Sequence, residues 1–130
     1  MLEHLTSYLL SMSGQEARRR LAGRVALDEF ALLARLAELG PSSQKALGER
    51  LRKDPADMVR LIDAAEANGI VRRDLDPADR RRRVVSLTPA GEAKLTAATQ
   101  TARHVQDELL APLSAAERVT LHELLERLLR

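Results

Sequence analysis

Four consecutive guanidinium groups, Arg80 to Arg83, follow a set of turn formers and precede a β-branched run, and they are the side chains with the most available chemistry. Arginine presents a planar fork of donors that keeps its charge, so a cluster of them grips the oxygens of an anion. Ile70 and Val71 on one side and Val84, Val85 and Leu87 on the other have strand composition, with Asp76-Pro77-Ala78-Asp79 as the turn between them. Gly69 to Thr88 therefore reads as a β-hairpin with a cationic end, built to touch a polyanion. The arginine run opens the returning strand, where alternation sends Arg81 and Arg83 to one face and Arg80 and Arg82 to the other. At least two of them are expected to stay free for a partner.

No catalytic set accompanies this cluster. There is no Gly-rich phosphate loop, no His-Glu-x-x-His and no hydroxyl nucleophile with an identifiable base, so no enzyme activity and no cofactor are expected. His104 and Glu108 lie one helical turn apart, but a single pair, with His4 and His122 far away in sequence, reads as surface residues and not as a metal site. Cysteine is absent, which excludes disulfides and thiolate metal sites.

The elements that must position the hairpin are helical. Leu2, Leu5, Leu9 and Met12 form an apolar stripe that continues weakly to Leu21, and Ser13-Gly14 predicts a bend or break in that first helix. A second helix is expected from Leu27 to about Glu38, with Phe30, Leu33, Ala34 and Ala37 on one face and Gly40-Pro41 as its stop. Ser43 is the N-cap of a short third helix, Gln44 to Arg52, that buries Leu47 and Leu51. Asp54 as N-cap, Pro55 at the first helical position and Asp57 soon after start a fourth, in which Met58, Leu61, Ile62 and Ala65 share a face. Two short helices joined by a tight turn and followed by a hairpin give the order of a winged helix-turn-helix, whose second helix enters the DNA major groove. Thr88-Pro89 opens a long helix with Leu95, Ala98, Ala102, Val105 and Leu109 in line. Ser114 and Glu117 form a capping box before a last helix dense in leucine, Leu121, Leu124, Leu125, Leu128 and Leu129.

With 130 residues the chain fits one domain, and 45% hydrophobic content with only 2% aromatics calls for an aliphatic, helix-rich core. The fold class expected is mainly α with a small β-hairpin. Net charge is only +2, so affinity for an anion must come from local clustering. Eighteen of the 21 basic residues are arginine, which fits phosphate or base contacts and equally fits a GC-rich coding bias. No signal pattern or membrane-length apolar run is present, so a soluble cytoplasmic protein without membrane contact is expected. The apolar faces at both chain ends exceed what one small winged domain can cover, and a two-fold dimer intertwined through them is the economical solution.

From about Leu27 to Leu95 the chain resembles the MarR family of bacterial transcription regulators. The resemblance is carried by Gly40-Pro41-Ser42-Ser43-Gln44-Lys45-Ala46-Leu47, Val59-Arg60-Leu61-Ile62-Asp63, Glu66-Ala67-Asn68-Gly69-Ile70-Val71-Arg72-Arg73, and Asp76-Pro77-Ala78-Asp79-Arg80-Arg81 through Ser86-Leu87-Thr88-Pro89-Ala90-Gly91. It implies a single unit over 1-130, with 1-24 and 89-130 as dimerisation helices and 27-88 as the DNA-binding region. It further implies a homodimer on a palindromic operator in double-stranded DNA, with half-sites about 10 bp or a multiple apart, modulated by a small-molecule effector.

By the same resemblance Arg81 is the wing-tip residue that reaches into the minor groove, and Asp79 is the acid that holds the tip by pairing with Arg81 or Arg72. Arg80, Arg82 and Arg83 either neutralise phosphates or stand as solvated charge. Arg60 matches the family arginine on the recognition helix, whereas Ala56, Asp57 and Val59 replace the small polar residues usual there. Asp57 either complements the helix dipole or accepts from a cytosine N4, and Ala56 and Val59 are candidates to touch thymine methyls. Lys45 and Lys53, with Arg50, are candidates for backbone contacts. Tyr8, Met12 and Phe30 are candidates to line an effector pocket, or are plain core. Leu2, Leu5, Leu9, Leu109, Leu121, Leu124, Leu125 and Leu128 are assigned to dimerisation. The altered recognition helix leaves an alternative open, a winged-helix protein-interaction module with weakened DNA binding.

Overall fold

The structure, a computed structural model, describes residues Met1–Arg130. A short 3-10 turn, Leu2–His4, leads into α1, Thr6–Leu21. The bend expected at Ser13-Gly14 is absent, and α1 runs unbroken with the Arg18 guanidinium lying over Gly14. One helical glycine costs about 1 kcal/mol relative to alanine, too little to break a helix of this length.

The second helix, α2, spans Leu27–Leu39. Its buried face is Leu32, Leu33 and Leu36, while Ala37 is exposed and Phe30 and Ala34 are half-buried. Of the expected face only Leu33 is fully buried, because helical spacing fits more than one stripe and the larger leucines go to the core. After Gly40 come the two-residue strand β1, Ser42–Ser43, and α3, Gln44–Leu51. Ser43 Oγ accepts from the Ala46 backbone N–H at 3.1 Å, and so one residue ends the strand and caps the helix. Arg52 terminates α3 in the left-handed conformation, with φ of 53°. Then α4, Pro55–Ala67, starts on Asp54, whose Oδ1 accepts from the Asp57 backbone N–H at 2.9 Å.

Strands β2, Val71–Leu75, and β3, Arg83–Leu87, pair antiparallel from Val71↔Leu87 to Leu75↔Arg83. β1 adds to the other edge of β3 through Ser42↔Val85 and Ser43↔Val84, giving the sheet order β1-β3-β2. The hairpin was expected; its third strand was not. The core gathers Leu32, Leu33 and Leu36 of α2, Leu47 of α3, Met58, Ile62 and Ala65 of α4, and Ile70, Val71 and Val85 at the sheet. Helices α2, α3 and α4 thus close over one face of the hairpin's base, leaving its loop outside.

The long α5, Pro89–Leu109, is joined to this unit by Thr88, whose Oγ1 donates to the Gly69 carbonyl at 2.6 Å and accepts from the Gly91 N–H at 3.1 Å. Gly91 has to be glycine, since a Cβ there would stand 2.0 Å from the Ile70 carbonyl oxygen. The last helix, α6, Ala115–Leu129, begins with the capping box of Ser114 and Glu117, as the sequence indicates. α5 packs against α1 and α2, and α6 is tied to the end of α5 by Arg118, which donates to the Leu110 carbonyl at 3.2 Å and to Asp107 Oδ1 at 3.2 Å. Neither α1 nor α6 buries a single residue. No helix is long and apolar enough to cross a membrane.

Candidate nucleic-acid interface

Helix α3, the Arg52 turn and α4 form the helix-turn-helix, and their close approach is set by Gly48, where a Cβ would meet Met58 Cγ at 3.1 Å. Met58, Ile62 and Ala65 fasten α4 to the core, which turns Ala56, Val59, Arg60 and Asp63 outward. This outward face is short of positive charge: α4 has Asp57, Asp63 and Glu66 against Arg60 alone. Each acid nevertheless has a guanidinium beside it. Arg60 Nη2 donates to Asp57 Oδ1 within the helix. Asp63 and Glu66 are met from outside it, by Arg73 of β2.

Arg73 is the residue that sequence reasoning missed. Its Nη2 donates to Asp63 Oδ1 at 2.5 Å and Glu66 Oε1 at 3.0 Å, its Nη1 to Gln44 Oε1 at 3.2 Å, and its backbone N–H to Glu66 Oε2 at 3.0 Å. With its side chain only 22% exposed, it clamps the base of the hairpin to both helices of the motif. The Glu66 carboxyl is held below its ordinary value of 4.5, chiefly by the Arg73 side-chain hydrogen bond, and the same bond raises Arg73. A signal was available: acids at 63 and 66 share one helix edge, and an arginine follows just after the helix ends. The Asp54 carboxyl is likewise lowered, first of all by the Asp57 backbone N–H that it accepts as N-cap.

At the far end of the hairpin the arginine run lies mostly in the loop. Only Arg83 belongs to β3, so strand alternation does not govern Arg80, Arg81 and Arg82 as expected. The loop is fixed by Asp79 and Asp76. Asp79 Oδ1 accepts from the Arg81 backbone N–H at 3.0 Å, its carbonyl accepts from the Arg82 N–H at 2.9 Å, and Asp76 N–H donates to the Arg82 carbonyl at 3.1 Å. These bonds set the backbone and leave the side chains outside: Arg80 to Arg83 are all exposed, Arg81 at 93%. Asp79 also receives Arg81 Nε at 3.4 Å. The other expected partner, Arg72, instead donates to Asp74 Oδ2 of its own strand at 2.8 Å. Adjacent strand residues point to opposite faces, so i and i+2 neighbours find each other before the loop does.

Two further expectations need correction. Lys53 is not free for a backbone contact, because its Nζ lies 3.1 Å from Asp28 Oδ2 and its side chain is only 25% exposed. It ties the turn of the motif to the start of α2. Lys45, by contrast, is exposed with no acidic partner. Tyr8 and Met12 do not join Phe30 in one pocket. The cavity of about 370 Å³ that Phe30 lines lies between α2 and α5, with Val25, Leu33, Ala98, Arg24 and Lys94. Met12 projects from α1 with 45% of its surface exposed, because α1 meets α5 without reaching Phe30. Lys94 pairs with Glu29 at 2.7 Å across this cavity, and Arg24 reaches Glu108 at 3.4 Å.

The leucines assigned to dimerisation are open at the chain ends. Leu2, Leu5, Leu9, Leu124 and Leu128 are exposed, and Leu109, Leu121 and Leu125 are half-buried. Between α1 and α6 lies an apolar groove of about 500 Å³ lined by Leu10, Leu121, Leu124, Leu125 and Leu128. It continues into a second of about 510 Å³ toward Leu109 and Leu113.

Comparison with known proteins places this geometry. The model of the MarR family matches residues 26–82. The transcriptional repressor NicR of Pseudomonas putida is 34% identical over 101 residues, covering 78% of this chain and 64% of its own length. A probable transcriptional regulator from Pseudomonas aeruginosa superposes with a TM-score of 0.86 at 33% identity, over 98% of this chain and 99% of that one. BpsR of Bordetella bronchiseptica, whose DNA binding is regulated by 6-hydroxynicotinic acid, superposes with a TM-score of 0.81 at 25% identity, over 95% of this chain and 98% of its own. The chain spans 64% and 61% of the lengths of the first curated relatives it matches.

Proposed function

The chain belongs to the MarR family, and on that premise we propose that it is a DNA-binding transcription regulator acting as a homodimer on a palindromic operator. The observation that carries the reading is the hairpin loop. Its backbone is fixed by Asp79 and Asp76, the hairpin is held to α4 through Arg73, and Arg80, Arg81 and Arg82 stand exposed, with Asp79 of their own loop as the acid beside Arg81 and Arg82 at 3.4 and 4.0 Å. A guanidinium on a rigid projection suits a narrowed minor groove, where negative potential concentrates. In this reading α4 lies in the adjacent major groove with Arg60 outward, and Lys45 and the remaining wing arginines contact phosphate.

Residues 27-88 form the reader and the segments 1-24 and 89-130 the dimer arms. The support for pairing is that no residue of α1 or α6 is fully buried in its own chain, while Leu2, Leu5 and Leu9 near one end and Leu124 and Leu128 near the other lie on the surface. We place a small-molecule effector in the Phe30 cavity, whose mostly apolar wall can hold a compact organic molecule and whose polar groups, Arg24 and the Lys94–Glu29 pair, can orient it. BpsR supplies the precedent for such control. The protein is read as a binding protein of the cytoplasm and not as an enzyme, in keeping with the regulators it resembles.

Mobility shift on palindrome-enriched duplexes tests the reading. Retention at low salt that weakens in Arg81→Ala is expected. A wild-type chain that retains no duplex would instead favour the protein-interaction module.

A further inference from the structure

We infer that Asp57 and Arg60 act together as the base-reading unit of α4, selecting a G·C pair in each half-site where A·T would otherwise be accepted. The inference rests on the DNA-binding reading above and adds what the operator must contain.

Across the first two turns of α4, Pro55, Ala56, Met58 and Val59 offer no polar side-chain atom, so base-edge hydrogen bonds from this stretch can come only from Asp57 and Arg60. Arg60 stands near the middle of the outward face with its side chain 73% exposed, and Asp57 flanks it at 45%. An arginine fork donates to guanine O6 and N7, and a carboxylate accepts from the cytosine N4 amine; no other base offers either pattern as well. The bond from Arg60 Nη2 to Asp57 Oδ1 serves this in two ways. It fixes the orientation of a long side chain that would otherwise lose rotamer freedom on binding, and it leaves Oδ2 open to accept. It also makes the pair locally neutral, which offsets the repulsion that a lone carboxylate would meet from phosphate. Ala56 and Val59 on the same exposed surface can meet only methyl groups, so thymine contacts are expected on either side of the G·C step.

Asp57 is not the N-cap, which is Asp54, and its carboxylate adds to helix stability only as a first-turn charge at the positive end of α4. Asp57→Asn therefore keeps shape and fold while removing the charge and half the acceptor capacity.

The test is selection from a randomised duplex pool with the wild type, Asp57→Asn and Arg60→Ala, each checked for an unchanged melting temperature. The wild type is expected to enrich a G·C pair at a fixed place in each half-site, and both variants to lose about tenfold discrimination there. Asp57→Asn should at the same time bind unselected DNA more tightly, as loss of any carboxylate from this face would, so the discriminating readout is the lost preference at the G·C position with the rest of the site unchanged. Identical sequence preference in the wild type and Asp57→Asn overturns the inference, as does a wild-type site that is A·T throughout. No retention of any duplex by the wild type overturns it too, but by removing the DNA-binding reading itself.

Discussion

Arg81 and Lys53 carry the same charge, and the structure assigns them opposite consequences. Arg81 projects from the loop at 93% exposure, so Arg81→Ala should weaken operator binding about tenfold and lower the slope of log affinity against log salt by about one. Lys53 already faces Asp28, so Lys53→Gln should leave the salt slope unchanged and cost at most about 1 kcal/mol of stability. Fluorescence anisotropy at several salt concentrations, with a denaturation curve for each variant, measures both. The sequence made the exposed arginines and the Ser43, Asp54 and Ser114 caps legible, because those roles depend on neighbours a few residues away. It did not reveal that Lys53 is engaged by a residue in another helix, nor that Arg73 bridges three elements, since such partners are set by tertiary approach.

The hairpin is positioned by two joints, each with its own signature. At Gly91 the first turn of α5 meets the Ile70 carbonyl with no room for a side chain, so Gly91→Ala should destabilise the fold by about 2 kcal/mol or more in chemical denaturation. At Arg73 the joint is ionic and depends on the Glu66 carboxylate. Because the folded pKa of Glu66 is depressed, the stabilisation is fully present above its ordinary value of 4.5 and is lost as pH falls through the lower, folded value. Arg73 side-chain NMR signals and β2 amide protection should therefore persist at pH 5 and fade only in stronger acid; loosening near neutrality would contradict the assignment. Element order and most helix bounds could be read from periodicity and caps. The face of α2 and the strand β1 could not, because several stripes on one helix are apolar and Ser42–Ser43 has no strand composition.

As a whole the molecule is a well-packed reader with poorly covered ends. Ten core residues join α2, α3, α4 and the sheet, whereas the leucines of α1 and α6 face outward around an open apolar groove. Exposing so much leucine is costly in water, and a second copy of the same helices would cover both sets by symmetry. The sequence showed this excess directly, since its first and last helices carry more leucine than the described fold covers. In the proposed reading pairing would also give the wings their use, because two arginine-tipped loops could then address two half-sites on one face of DNA. Sedimentation of the chain with a duplex carrying its selected site tests this account most directly. Two chains per duplex, with a protein of twice 14.4 kDa before DNA is added, is the result expected. One chain per duplex, or a protein that stays at 14.4 kDa at micromolar concentration and leaves the duplex unbound, would contradict it.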